Sequence, residues 1–291
     1  MKDVVSIGTV NTDIYVNSVF EKETEEKEVP MLVTGGGSAA NFAVGCARLG
    51  LKAGFHGVIG KDVFGNFLKE DLEKEGVDSK GLMFSEQPSG KVVIITEKRN
   101  KNMFAFRGAN LDLKKSNLKS SYVGGFKHIH LATVSLDIAE YVVKKFHKTH
   151  TISVDPGSTL SSYKLDKLIP VLKYTDVFFP NKEQIHKITN TNYQNGAKKI
   201  NGVGTKIVAV KLGKEGAYLR TGMEEFHTPI HDIPVVDTTG AGDSFASGFI
   251  YSYLKEKNLE DCMKTGIKTS AYCVAGLGAR HLPRLSDLKK M

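Results

Sequence analysis

The densest chemistry in the sequence lies in Val236-Asp-Thr-Thr-Gly-Ala-Gly-Asp-Ser-Phe245. The pattern predicts a strand end, a turn of small residues and an apolar helix running through Phe245, Ala246, Phe249 and Ile250. Gly240, Ala241 and Gly242 let several backbone N–H groups converge at a helix N-terminus, an anion site that needs no charged side chain. Asp243 falls in the first helical turn. A carboxylate beside an anion site is electrostatically odd unless it has a task, and accepting a proton is one. Taken alone, it can equally be a capping residue after a Gly-rich turn. Asp13 and Asn41 are short polar residues after apolar strands, where α/β sheets bind ligands. Turn-forming and helix-starting roles are the plain alternative for Asp13 and Asn41. Lys211-Leu-Gly-Lys-Glu-Gly216 lies between two strands, and its glycines at 213 and 216 allow close backbone approach. For Lys211 itself the alternative is a solvated strand end. His128-x-His130 puts two rings on one strand face, but no third ligand stands at metal-binding spacing.

The elements that must position these residues follow from hydrophobic periodicity. Val4–Gly8 reads as a buried strand, and strands at Ile14–Phe20 and Val29–Thr34 flank a charge run, 21–28, that reads as a solvated hairpin tip. A helix opens after Gly35-Gly-Gly-Ser-Ala-Ala-Asn41 and stops at Gly50; Ala53–Ile59 reads as a strand; Asp62 caps a helix that ends at Gly76. Lys91–Glu97 and Met103–Arg107 form a second hairpin around residues 98–102. From Phe126 the rhythm is strand and helix in turn: strand Phe126–Ala132, helix Asp137–His150, strand Thr151–Asp155, helix Tyr163–Tyr174, strand Asp176–Phe179 and helix Asn181–Thr189. Strands at Lys206–Leu212, Gly216–Thr221 and Glu224–Pro229 follow, then two long helices after Thr239 and Asn258. The alternation predicts a parallel-rich sheet with helices on both faces. The early hairpins do not fit it and predict a small β lid beside the main sheet.

In its full length the Asp237–Asp243 run resembles the C-terminal signature of the ribokinase family of carbohydrate kinases, the PfkB-type sugar kinases. Gly35-Gly-Gly-Ser-Ala-Ala-Asn-Phe-Ala-Val-Gly-Cys-Ala-Arg-Leu-Gly50, followed by Gly57-Val-Ile-Gly-Lys-Asp-Val-Phe-Gly65, resembles the N-terminal signature. Pro180-Asn181-Lys-Glu183 and the Lys211–Gly216 run fall between them in family order, so the matches span Asn11 to about Gly278. The resemblance implies one domain over residues 1–291, doubly wound α/β with a mostly parallel central sheet, and a lid from about 14–34 and 91–108 inserted in it. It implies transfer of the γ-phosphoryl group of ATP to a hydroxyl of a small sugar, with a nucleoside as the alternative acceptor. By position it implies Asp243 as general base and the N–H groups of Gly240, Ala241 and Gly242 as an anion hole. Asn11, Asp13, Gly36, Gly37 and Asn41 would meet the acceptor, with Asn110 in the lid segment over it. Asn181 would lie near the phosphates, and Lys211, Gly213 and Gly216 along the nucleotide. Asp237, Thr239 and Gly278 match a monovalent-cation site, which implies K⁺. The family's Asn-x-x-Glu here reads Asn181-Lys-Glu-Gln184, which leaves Glu183 as the nearby carboxylate for Mg²⁺. Ser38 stands where ribokinases carry Lys, which weakens ribose as the substrate, and Ile267 stands where an adenine-contacting Asn occurs.

Composition bounds the alternatives. The 291 residues are 41% hydrophobic and 25% charged, which excludes a disordered, collagen-like or disulfide-stapled chain. No apolar run approaches the roughly 18 residues that span a membrane, and Asp3 and Gly8 interrupt any signal-like N-terminus. Cys46, Cys262 and Cys273 are odd in number and show no C-x-x-C spacing, so reduced, buried thiols of a cytoplasmic protein are expected. The net charge of +8 favours anionic ligands such as nucleotides, whereas the scattered lysines do not form a nucleic-acid stripe. No Walker A run is present. Gly35-x-Gly-x-x-Ala40 mimics a dinucleotide fingerprint, but in a Rossmann oxidoreductase it would follow the first strand, and two further strands intervene. A non-catalytic sugar- or nucleotide-binding protein is the remaining alternative, and the intact Asp243 and anion loop argue against it. The lid hairpins offer exposed edges through which two copies can pair.

Overall fold

Val4 and Val5 are both fully buried, yet they belong to different cores. Side chains of a strand alternate between faces, so a central strand with helices above and below is apolar at every position. Val5, Ile7, Ile129, Leu131, Ile152, Val154 and Val208 face one way, against Ile138, Val142, Leu168, Ile185 and Ile200. Those residues lie on helices Leu136–Phe146, Leu165–Leu172, Lys182–Thr189 and Tyr193–Gly202. Val4, Val177, Phe179, Ile207 and Ala209 face the other way, against Phe42, Phe245, Phe249 and Met263. Helices Ser38–Arg48, Ala241–Leu254 and Leu259–Val274 carry these.

The computed structural model describes residues 1–17, 28–97, 100–230 and 233–290. Its main sheet has eight strands in the order Glu225–Thr228, Ala217–Arg220, Ile207–Lys211, Val177–Phe178, Thr151–Asp155, Phe126–Ala132, Lys2–Gly8 and Ala53–His56. The six from Ile207–Lys211 onward are mutually parallel; the first two are an antiparallel extension at one edge. Lys2–Gly8 has Ala53–His56 on one side and Phe126–Ala132 on the other, so the strand order reverses there. A crevice opens at such a reversal, beyond the carboxyl ends of the strands. No helix among the described residues is long and apolar enough to cross a membrane.

A second sheet covers that crevice. Its order is Met31–Gly36, Asn11–Asn17, Lys91–Glu97 and Asn100–Phe106. Each predicted hairpin is present as an antiparallel pair. The two hairpins are joined by a parallel seam, Thr12 opposite Lys91 through Asn17 opposite Thr96, which local patterning does not foretell. Residues 18–20 of the predicted second strand, and 21–27 of the charge run, lie outside the described residues.

Several boundaries move for identifiable reasons. The second strand begins at Asn11, so Asn11 and Asp13 are themselves strand residues and not a turn. The single strand predicted over Ala53–Ile59 divides at Gly57: Ala53–His56 stays in the main sheet, and Val58–Gly60 pairs with Met83–Ser85. The predicted Asp137–His150 helix ends at Phe146, and Tyr163–Tyr174 shortens to Leu165–Leu172. A helix over Tyr193–Gly202 appears where none was expected, started by the Asn192 side chain accepting from the Asn195 N–H. Asp62 caps its helix as expected, accepting from the Gly65 N–H at 2.7 Å. Cys46, Cys262 and Cys273 are buried free thiols.

Phe249 shows how tightly the helix that starts at the glycine-rich turn is anchored. It is fully buried, and its ring meets Phe179 edge-on at 5.3 Å between centroids. Phe249→Ala is expected to cost about 3–5 kcal/mol through lost contacts and the cavity left behind. A lower urea midpoint with an unchanged denaturant slope checks this.

Candidate active site

Helix Ala241–Leu254 begins at Gly240, whose φ of 78° is the left-handed conformation that glycine takes without strain. A Cβ there would also lie 2.8 Å from Ala279. Among the described residues no side chain caps this helix, so its first N–H groups and its positive end face the crevice. The Ala241 N–H reaches back to the Thr238 carbonyl at 3.3 Å, and the Ser244 N–H is taken by Gly240. Asp243 sits one turn in, half-buried, with Oδ2 accepting from Asn41 Nδ2 at 2.9 Å.

Two cavities meet at this helix start. The larger, about 390 Å³, is lined by Asn11, Asp13, Gly37, Asn41, Asn110 and Asp243, with Ser38, Thr133 and Arg107 at its sides and Met103, Ala105 and Phe106 from the lid as roof. The smaller, about 80 Å³, is lined by Lys211, Gly213, Gly216, Ala241, Phe245 and Ile267. Gly242 belongs to both. The crevice is thus a two-ended slot whose midpoint is the uncapped helix start. Of the sequence-predicted residues, Asn11, Asp13, Gly37, Asn41 and Asn110 line one end and Lys211, Gly213 and Gly216 the other, whereas Asn181 lines neither.

The electrostatics are those of crowded carboxylates leaving water. Burial pushes the Asp243 carboxyl up to about 7; the Asp155 charge adds to this, while the Asn41 hydrogen bond and Lys211 oppose it. The carboxyl therefore lies well above the ordinary aspartate range. Asp13, only 4% exposed, is also pushed to about 7 by burial, against the pull of Arg280 and Lys101. Its Oδ1 is buried and has no hydrogen-bond partner among the described residues. A buried unpaired carboxylate oxygen is costly, so it marks a place where a ligand hydroxyl is wanted. Asn41 Oδ1 is likewise buried and unpartnered. Asp237 behaves differently: burial raises it, but the Lys101 and Thr239 hydrogen bonds and the Lys101 charge outweigh this and hold it below the usual range.

Other predicted residues take supporting places. Gly36 does not line the cavity; it lies against the Asp13 carboxylate, where any Cβ would collide with it. Asn110 uses its amide to tie the lid turn to the first strand's end, bonding Val10 N, Val10 O and Asn11 Oδ1 at 2.9–3.0 Å. Asn181 caps helix Lys182–Thr189 in a reciprocal box with Gln184, each bond 2.8 Å, so the neutral Gln184 serves the helix start. Glu183 is exposed and pairs with Lys187 at 2.5 Å, and it lines neither cavity. Lys211 places its Nζ 2.5 Å from Asp155 and beside Gly242. Gly278 donates its N–H to Asp237 Oδ2 at 3.0 Å, and Thr239 donates to Oδ1 through N–H and hydroxyl. The third partner there is Lys101 of the lid, with Nζ 2.6 Å from Asp237 Oδ1. His128 and His130 are buried and share the Ser153 hydroxyl; burial pushes both down, His128 to about 3, so they are neutral core residues. Among the described residues no three metal-ligating side chains of the His, Cys, Asp and Glu type cluster together.

Sequence reasoning did not single out Lys101, Asp155, Arg107 or Arg280. Lys101 sits in a lysine-rich run that reads as a solvated tip, and Arg280 in a loop without periodicity. Arg280 is buried 3.1 Å from Asp71 and close enough to Asp13 to act on its charge.

A doubly wound sheet, a four-stranded lid and a slot divided by a glycine-rich helix start define a carbohydrate kinase of the ribokinase-like fold. The chain belongs to the pfkB family of carbohydrate kinases, whose family model matches residues 1–285. It is 34% identical over 253 residues to an "uncharacterized sugar kinase" of Archaeoglobus fulgidus, covering 84% of this chain and 100% of that one. It is 30% identical over 288 residues to an ATP-dependent ribose-1-phosphate kinase of Halopiger xanaduensis, covering 97% and 95%. The crystal structure of a ribokinase from Thermotoga maritima superposes with a TM-score of 0.88 at 26% identity, covering 100% and 99%.

The raised carboxyl of Asp243 has a consequence for stability. Between its ordinary value of 3.8 and its folded value of about 7 the native state holds a proton that the unfolded chain has released. The contribution of this group to stability is therefore full below about 4 and is lost as pH rises through about 7. Asp243→Asn removes the charge that burial penalises. It is expected to melt above the wild type at pH 8, with the gap narrowing at pH 5; thermal melts at the two pH values check this.

Proposed function

We propose that the protein transfers the γ-phosphoryl group of ATP to a hydroxyl of a small sugar. The observation that carries the reading is the position of Asp243, half-buried at an uncapped helix start between a polar cavity and a glycine-lined one. Asn11, Asp13 and Asn41 hold the acceptor's hydroxyls, and the unpartnered Asp13 Oδ1 takes one of them. Asn41 occupies Asp243 Oδ2, which leaves Oδ1 to receive the proton of the reacting hydroxyl. The acceptor oxygen then bonds to the γ-phosphorus as the bridging β,γ P–O bond breaks, and ADP leaves. Charge on the transferring group's equatorial oxygens meets the N–H groups of Gly240 and Gly242 and the Lys211 ammonium, with the Ala241 N–H turning from the Thr238 carbonyl to join them. Phosphoryl transfer draws its rate chiefly from such positioning and charge stabilisation. A carboxyl near neutrality is a better-matched base at cellular pH than an ordinary aspartate.

Mg²⁺ fits as the companion of the nucleotide phosphates. It keeps much of its water shell and needs one or two carboxylates from a protein, so the lack of a dedicated cluster among the described residues is consistent with it. The lid strands exclude water, the competing acceptor, by roofing the larger cavity with Met103, Ala105 and Phe106.

A nucleoside is the second reading, favoured by the exposed Phe106 and Met103 over the cavity, which offer a face for a base. Arg107 at the cavity wall suits a sugar that already carries a phosphate, as in the Halopiger relative. The apolar side chains left exposed on the lid sheet away from the cavity, Met31, Val33 and Phe104 among them, suit pairing with a second copy.

An ADP-release assay over pentoses, hexoses, sugar phosphates and nucleosides tests the reading. Asp243→Asn is expected to lower kcat by about 10²–10⁴ while remaining folded. Asp13→Ala is expected to raise the acceptor KM and leave the ATP KM nearly unchanged. Turnover of the folded Asp243→Asn protein within a few-fold of wild type would place the base elsewhere. For the lid pairing, Phe104→Glu is expected to shift the protein from dimer to monomer in sedimentation; a wild-type monomer removes that idea.

A further inference from the structure

Asp237 is 8% exposed, and both its oxygens are already in use. Oδ2 accepts from the Gly278 N–H at 3.0 Å. Oδ1 accepts from the Thr239 N–H at 3.1 Å, the Thr239 hydroxyl at 2.8 Å and Lys101 Nζ at 2.6 Å. The same ammonium also donates to the Thr239 hydroxyl oxygen. These are the residues that match a monovalent-cation site by resemblance, and they do not fit a resident ion in addition to what they hold. The site already has one unit of positive charge. It is a compact ammonium with three donors, it arrives from outside the loop, and it neutralises the carboxylate on which the loop is built.

We propose that Lys101 takes the place of a monovalent metal ion in this enzyme, as a cation tethered to the lid. The carboxylate of Asp237 lies three residues before Gly240, and Thr239 directly precedes it. Pinning both sets the conformation of the turn whose N–H groups face the crevice. Strand Asn100–Phe106 carries Lys101 and also supplies Met103, Ala105 and Phe106 to the roof of the larger cavity. Seating the cation and closing the roof are therefore one movement. A second link runs beside it, with the Ala279 N–H donating to the hydroxyl of Tyr15, another lid residue, at 3.2 Å. Lys101 is a positioning residue: it touches neither acceptor nor nucleotide and acts through Asp237 and Thr239. A diffusible ion would leave loop geometry and lid position independent, whereas a lysine makes them the same variable.

The test compares wild type, Lys101→Met and Lys101→Gln in KCl, NH₄Cl and tetramethylammonium chloride at equal ionic strength. Melting is measured first, because it does not depend on the kinase reading on which the catalytic role rests. Wild type is expected to melt alike in all three salts. The variants are expected to melt about 5 °C lower in tetramethylammonium, since a buried carboxylate has lost its partner, and to regain most of this in K⁺ or NH₄⁺. With the acceptor identified by the ADP-release panel, variant kcat is expected to fall about 10–100-fold in tetramethylammonium and to recover in K⁺, with acceptor KM little changed. A K⁺-selective rise in wild-type melting or rate equal to that of the variants overturns the proposal, because the ion site is then open. Variants that behave like wild type in every salt overturn it as well. A wild type that phosphorylates nothing in the panel sinks the kinase reading and leaves the melting comparison to decide the tethered cation.

Discussion

Four carboxylates, those of Asp13, Asp155, Asp237 and Asp243, surround one uncapped helix start, and none of them is free in water. Like charges at such spacing in a drying crevice repel, and burial penalises each ionised form. The protein meets this constraint by drawing a separate cation from a separate part of the fold. Lys211, at the end of a central strand, faces Asp155; Lys101, on the lid edge, faces Asp237; Arg280, in the C-terminal segment, lies near Asp13. Among the described residues Asp243 has no cation in direct contact and relies on Asn41 and the helix's positive end, and its proton, like that of Asp13, is held near neutrality. The main sheet, the lid and the C-terminal loop thus each bring a cation to this one point.

Much of this was legible in the sequence, because the signals are local. The Gly-Ala-Gly turn, the apolar helix after it and the strand–helix rhythm from Phe126 each depend on neighbours within a few residues. Asn181 and Asp62 announce helix starts through short side chains that reach back to the backbone. What was not legible depends on distance along the chain. Nothing in residues 98–102 marks Lys101 as the residue that meets a carboxylate 136 positions away. Asp155 and Arg280 belong to no motif, yet they set the charge environment of Asp243 and Asp13. The elevated carboxyl of Asp243 arises from burial and from Asp155, both products of the fold. The helix at Tyr193–Gly202 escaped notice because its Asn- and Gly-rich sequence is a poor helix former by itself and is held by packing of Ala197 and Ile200.

The lid sheet has a consequence for assembly that differs from its role over the crevice. Each of its hairpins closes locally, but the seam between them pairs residues 12–17 with residues 91–96 in parallel register. The chain between them carries the strand at Ala53–His56, which pairs beside Lys2–Gly8, and the helices at Ser38–Arg48 and Val63–Lys74. Parallel pairing over such a separation closes a long loop before it gains any contact, which is the slow kind of event in folding. The seam of the covering sheet therefore belongs to the class of contacts that form slowly, whereas each hairpin on either side of it closes over a short stretch of chain.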